Sequence, residues 1–90
     1  MATYLIAYDL KKTKDYASLI AAIKKQYPTY CHVLDSNWIV QTSSDAKNIR
    51  DYCKKYMDHD DAIFVSKLTP DAAWDNLGTE ISNWIKQQLN

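Results

Sequence analysis

The stretch Thr3-Tyr4-Leu5-Ile6-Ala7-Tyr8-Asp9-Leu10 decides the fold. It is rich in strand-forming residues, and its apolar side chains occupy both parities. Tyr4, Ile6 and Tyr8 lie on one, Leu5 and Ala7 on the other. A strand with one wetted face alternates apolar with polar; a strand covered on both faces does not. The run therefore predicts an interior strand that carries Asp9 at its C-terminal end.

Downstream, Tyr16, Leu19, Ile20, Ile23 and Tyr27 recur at helical spacing with lysines between them. This predicts a helix over 14–26, with Thr13 as N-cap and Pro28 as terminator. Two strands follow, 29–34 and 37–42, joined at Asp35-Ser36 as a tight hairpin. The second again has apolar groups on both parities, Trp38 and Val40 against Ile39. It too is expected inside the sheet.

Ser43-Ser44-Asp45 offers a capping hydroxyl and a first-turn acid to a second helix. The buried stripe of that helix is Ala46, Ile49, Tyr52, Cys53, Tyr56 and Met57. A loop, Asp58-His59-Asp60-Asp61, leads to a fourth strand over 62–68. Thr69-Pro70-Asp71 signals a short helix through Trp74 that stops near Gly78, the only glycine. Thr79 then caps a last helix with Ile81, Trp84, Ile85 and Leu89 on one face.

The order strand, helix, strand, strand, helix, strand predicts an α+β, ferredoxin-like βαββαβ domain. A four-stranded antiparallel sheet has two helices on one face, and the C-terminal helices of 70–90 are extra. The first and third strands, the two with double-sided apolar patterns, take its centre. Residues 1–90 form one domain. The second sheet face needs a cover, either the tail with Trp74 and Trp84 or a second copy. A homodimer that uses both is expected, since two-fold dimers are the commonest assembly.

The composition, 47% hydrophobic and 12% aromatic, is that of a globular domain. Eleven basic and eleven acidic residues cancel, so the basic surplus of a typical nucleic-acid binder is missing. Cys31 and Cys53 have no metal-like spacing and are expected to be buried and reduced. With no charged-then-apolar leader and no apolar run near 18 residues, the chain is expected to be soluble and cytoplasmic, without membrane contact.

In this topology the ends of the first and second strands and the entry to the fourth share one edge. Asp9, Asp35, Asp58, Asp60 and Asp61 should converge there, beside Lys11 and Lys12. Hard carboxylate oxygens suit Mg²⁺ or Mn²⁺, and Asp9, Asp60 and Asp61 are the candidate ligands. The same acids also suit an ordinary solvated loop. Candidate contacts to a ligand or its phosphate are Tyr8, Lys11, Lys12, Trp38 and His59; Trp74 and Trp84 are candidates for the interface. His32, mid-strand with no nucleophile beside it, reads as packed or edge-exposed. No zinc spacing, nucleophile elbow or glycine-rich phosphate loop is present.

Tyr8-Asp9 at the end of the opening strand, in a βαββαβ chain of this length, resembles the Cas-two adaptation proteins of CRISPR systems and the related VapD-like toxins. That resemblance implies a ferredoxin-like homodimer and, in some members, a metal-dependent nuclease with paired aspartates at the dyad. Asp9 is the one residue that carries over as catalytic. The early-helix arginine is lacking, and Trp38-Ile39-Val40-Gln41-Thr42 replaces the Ser-Val-Phe-type motif of the third strand. A wider likeness, over most of the chain, is to short bacterial and phage proteins labelled SinR family. It rests on Tyr4-Leu5-Ile6, Tyr8-Asp9-Leu10, the run from Leu34 through Asp35-Ser36-Asn37-Trp38-Ile39-Val40, Ile49-Arg50-Asp51 and Ala72-Ala73-Trp74. The label implies no activity.

Two functions follow as expectations. One is a small Cas-two-like homodimer that binds nucleic acid or nucleotides, with weak or no metal-dependent nuclease activity. The other is a non-catalytic phage or bacterial module that sequesters a small nucleotide or blocks a protein partner.

Overall fold

The structure is a computed structural model that describes residues 1–10 and 17–89. The elements are β1 (Ala2–Asp9), α1 (Ala17–Gln26), β2 (Tyr30–Leu34), β3 (Asn37–Thr42), α2 (Ala46–Lys54), β4 (Ala62–Lys67) and α3 (Thr79–Leu89). All strand pairs are antiparallel, and the sheet order is β2-β3-β1-β4. The central places go to β1 and β3, as expected from their double-sided apolar patterns. The fold is α+β and ferredoxin-like, with one extra helix at the C-terminus. The predicted helix start over 14–16, with Thr13 as cap, lies outside the described residues.

One face of the sheet meets α1 and α2 and holds the main core. Even-numbered residues of β1 and β3 point into it, and the register sets Ile6 opposite Trp38 and Tyr4 opposite Val40. Leu19 and Ile23 of α1, Ile49 and Cys53 of α2, and Tyr27 close over them. Trp38 is 1% exposed, and its indole N–H donates to the Tyr8 hydroxyl across the strands at 3.1 Å. The indole N–H thus finds an acceptor inside an apolar layer, where an unpaired donor would be costly. The Tyr52 hydroxyl donates to the Ala22 carbonyl at 3.1 Å and ties α2 to α1.

The opposite face carries the other parity. Thr3, Ile39 and Ile85 are buried there, and the Thr3 hydroxyl donates to the Gln88 carbonyl at 3.3 Å, which docks the end of α3. The tail does cover this face, but only in part. Leu34 and Phe64, which project from it, are 56% and 67% exposed.

Two local expectations need correction. Residues 70–74 are not helical; 68–78 form an irregular strap before α3. The start signal is real, since the Asp71 amide donates to the Thr69 hydroxyl at 3.3 Å. One turn cannot repay helix nucleation, however, and Ala72, Ala73, Trp74 and Leu77 instead line a cleft with Leu5, Leu34 and Ile39 of the sheet. The strap ends with positive φ at Asn76 (63°) and Gly78 (87°), the latter a conformation for which glycine is suited. Second, the cap of α2 is not a serine hydroxyl but the carboxylate of Asp45, which accepts from the Asn48 amide at 2.8 Å. Among the described residues, no helix is long and apolar enough to cross a membrane.

Candidate functional site

Three segments meet at the C-terminal end of β1. The Tyr8 amide donates to the Ser36 carbonyl at 3.1 Å, which brings the Asp35-Ser36 turn against it. On the other side Asp9 pairs with Ala62, one residue after Asp61. Paired strand residues have Cα atoms roughly 4.5–5.5 Å apart, so the strand end and the acidic loop are immediate neighbours.

That loop is a closed turn. The Asp61 amide donates to the Asp58 carbonyl at 3.1 Å, and the Asp58 amide donates to the Asp61 carboxylate at 2.8 Å. The reciprocal bonds fold the segment on itself and gather its acids. Carboxylate oxygens of Asp58, Asp60 and Asp61 all lie within 4.8 Å of one another. A cation with bonds of 2.3–2.6 Å spans roughly 4.6–5.2 Å between opposite ligands; Mg²⁺, at 2.0–2.1 Å, spans about 4.2 Å. The donor set suits a hard cation, with a small closure for the smaller ion.

The candidate ligands thus divide. Asp60 and Asp61 belong to the cluster, and Asp58 is its third member. The Asp9 carboxylate lies outside this group, next door on the exposed end of β1. His59 is exposed within the same loop. A shallow hollow of about 270 Å³ lined by Ala7, Tyr8, Asp9, Ala62, Ile63 and Phe64 adjoins them. Lys11 and Lys12 lie outside the described residues.

Tyr8 and Trp38, expected to touch ligand, are 6% and 1% exposed, and their polar tips bond each other. Both rings are packed in the helix-side core, and Tyr8 also borders the hollow beside Asp9. His32, beside them, is exposed. It stacks on the edge of the core against Trp38, with ring centroids 4.1 Å apart and planes 9° from parallel. Its Nε2–H donates to the Asp35 carbonyl at 3.1 Å. His32 was expected to be packed or edge-exposed, and it is both. Lys24 sits 5.9 Å from the Tyr30 ring and 6.0 Å from that of Trp38.

Trp74 and Trp84 are half-buried in the tail, and the Trp74 indole N–H donates to the Ser82 hydroxyl at 3.1 Å. An open hollow of about 420 Å³ surrounds Trp74 and the turn into α3, away from the acidic edge. It is broad, and the residues around it hold no comparable cluster of like groups.

The cysteines offer no nucleophile. Both are free; Cys53 is buried, and its thiol is pushed up to about 11 by burial. Cys31 is half-exposed rather than buried, and desolvation raises its pKa as well. A thiol raised in this way has little thiolate near neutral pH.

Sequence reasoning missed the exposure of Phe64 and Leu34. In β4 both parities are apolar, Ile63 and Val65 against Ala62 and Phe64, and that pattern alone does not tell which side is open. Comparison with family models, with curated proteins and with solved structures finds no match for this chain.

Proposed function

We propose that this chain is a small homodimeric protein that binds nucleotide or nucleic-acid phosphate through a divalent cation, Mg²⁺ or Mn²⁺, at the acidic edge. The carrying observation is the 4.8 Å gathering of the Asp58, Asp60 and Asp61 oxygens beside the strand end of Asp9. The chain has no net charge, and this edge is negative. Phosphate would be repelled there unless a cation bridged the two, and a cation so held would also polarise a phosphoryl oxygen. Asp9 is exposed and adjacent, which supports giving it the role of acting on a ligand seated there. Any nuclease activity is expected to be weak.

Calorimetry with Mn²⁺ tests the site. Asp60→Asn and Asp61→Asn should each weaken binding at least about tenfold, the cost of one lost charge-assisted contact. Nucleotide or oligonucleotide binding should then vanish in chelator; affinity unchanged by chelator rejects the reading. A nuclease assay with Mg²⁺ or Mn²⁺, wild type against Asp9→Ala, decides the enzymatic part. Equal activity, or none in either, removes it.

A second reading is favoured by Phe64 and Leu34, 67% and 56% exposed on one face. It is a non-catalytic bacterial or phage module that sequesters a small nucleotide or blocks a protein partner. In a thermal-shift panel, a rise with mononucleotides but none with oligonucleotides selects it.

A further inference from the structure

The strap and α3 roof the β2, β3 half of the second sheet face without filling the space beneath them. A cleft of about 200 Å³ remains there. Leu5 and Ile39 of the sheet, Leu34 of β2, Trp74 and Leu77 of the strap and Leu89 of α3 enclose it. Of these only Ile39 is buried; Leu5, Trp74, Leu77 and Leu89 are half-buried, and Leu34 is exposed. Native interiors leave few voids larger than a water molecule, and this one is several times that size. Among the described residues, no charged side chain lines it.

Two polar side chains do. The Trp74 indole N–H is spent on the Ser82 hydroxyl at 3.1 Å. The other is Asn37, whose side-chain amide makes no hydrogen bond to the described chain. An amide with donor and acceptor both unclaimed, set in an apolar lining, is the usual make-up of a small-molecule site.

The roof is also adaptable. The Leu68 amide donates to the Thr3 carbonyl at 2.8 Å, and there the strap leaves the sheet. Over 69–78 no backbone hydrogen bond reaches a strand among the described residues. The bonds of this stretch are local, as from the Ala72 amide to the Pro70 carbonyl at 2.9 Å, or run to α3, as from the Ser82 amide to the Gly78 carbonyl at 3.0 Å. Apolar contact alone sets the height of the strap above the sheet, so a guest enters without breaking a hydrogen bond.

We propose that this cleft binds a small neutral molecule, an apolar body of one or two rings with a single hydrogen-bonding group that Asn37 meets. An apolar cavity of roughly 150 Å³ takes up benzene, so this one holds a slightly larger body. An uncharged lining rejects a nucleotide or any other ion, because a buried charge without a partner is costly. The site is therefore distinct from the acidic edge and independent of the function proposed there.

Two-dimensional NMR on the full chain, with indole as the probe, tests the assignment, and the spectrum of each variant shows whether it is folded. Indole has an N–H that the Asn37 carbonyl can accept. Saturable shifts should centre on the Asn37 side-chain amide and on residues 72–77, with a dissociation constant below about 1 mM. Indole-3-carboxylate, the same rings with a charge, should bind at least about tenfold more weakly. Asn37→Ala should weaken indole about three- to tenfold, the loss of one hydrogen bond. Leu5→Phe, which raises a larger ring from the floor of the cleft, should weaken it at least about tenfold. Absence of saturable shifts, shifts centred away from the cleft, equal binding of indole and its carboxylate, or unchanged affinity in both variants each overturns the proposal.

Discussion

The two faces of the sheet are built from the same strands yet sealed to different degrees. On the helix side Ile6, Val40, Ile23, Ile49 and Cys53 have no exposure at all. On the far side Ile39 and Ile85 are buried, but Phe64 is 67% exposed only one strand away from the centre. The helix side is closed by two helices that follow from the chain order itself. The far side depends on one helix and an irregular strap, which together reach the β2, β3 half and stop short of β4. The acidic edge lies at the border of the open part.

The contrast predicts a gradient of mutational effects. Trp38→Ala opens a cavity in the helix-side core and removes a hydrogen bond to the Tyr8 hydroxyl; chemical denaturation should show a loss of about 3–5 kcal/mol. That is a large share of the ~5–15 kcal/mol by which domains are stable. Ile85→Ala strikes the far side, where the strap has room to settle, and about 2 kcal/mol is expected. A loss equal to that of Trp38→Ala would mean that the two faces are sealed alike.

Smaller effects mark the periphery. Asp45→Ala removes the α2 cap and should cost about 1 kcal/mol, since the Asn48 amide loses its acceptor. Phe64→Ser should change the stability by no more than about 0.5 kcal/mol, because its ring is mostly in water. A larger loss would mean that the ring is packed within its own chain.

The least effect is expected at Asp51, on the outer side of α2. Lys47 donates to it at 2.9 Å, and Arg50 donates from Nε and Nη2 at 3.0 and 2.9 Å. These hydrogen bonds hold its carboxyl below the usual 3.8, with the charges of Arg50 and Lys47 adding to them. A carboxylate depressed by folding contributes stability above its unfolded pKa and loses it as pH falls through the folded value. Asp51→Asn should therefore flatten the stability profile only below about pH 4. Added salt should shrink the difference, since the pair is exposed.

Much of the fold was legible because its signals are local and repeated. Two-sided apolar strands named β1 and β3 as central, and helical spacing named Leu19, Ile23, Ile49 and Cys53 as their cover. The meeting of Asp9 with the 58–61 loop followed from topology, since antiparallel order fixes which strand ends are neighbours. Less legible was which carboxylates cluster. Asp58 joins Asp60 and Asp61 through reciprocal bonds within the turn, and spacing alone does not distinguish that from a loose loop. Trp38 and Tyr8 were read as candidate ligand contacts because an aromatic is equally at home in a core and in a site, and the structure places both in the core. Their hydrogen bond across the strands shows that they meet inside it.

The strap shows the same limit from the other side. Thr69, Pro70 and Asp71 carry a helix-start signal, and the first capping bond forms, yet no helix follows. Local propensity there amounts to a single turn, while the sheet offers Trp74 and Leu77 an apolar surface to cover. By itself, then, the sequence determined the element order, the central strands and the helix-side core, because burial periodicity and antiparallel connection leave few alternatives. Tertiary structure alone decided how far the tail reaches, and with it which apolar side chains stay in water. That depends on the competition between a short helix and a distant surface, which no local pattern encodes.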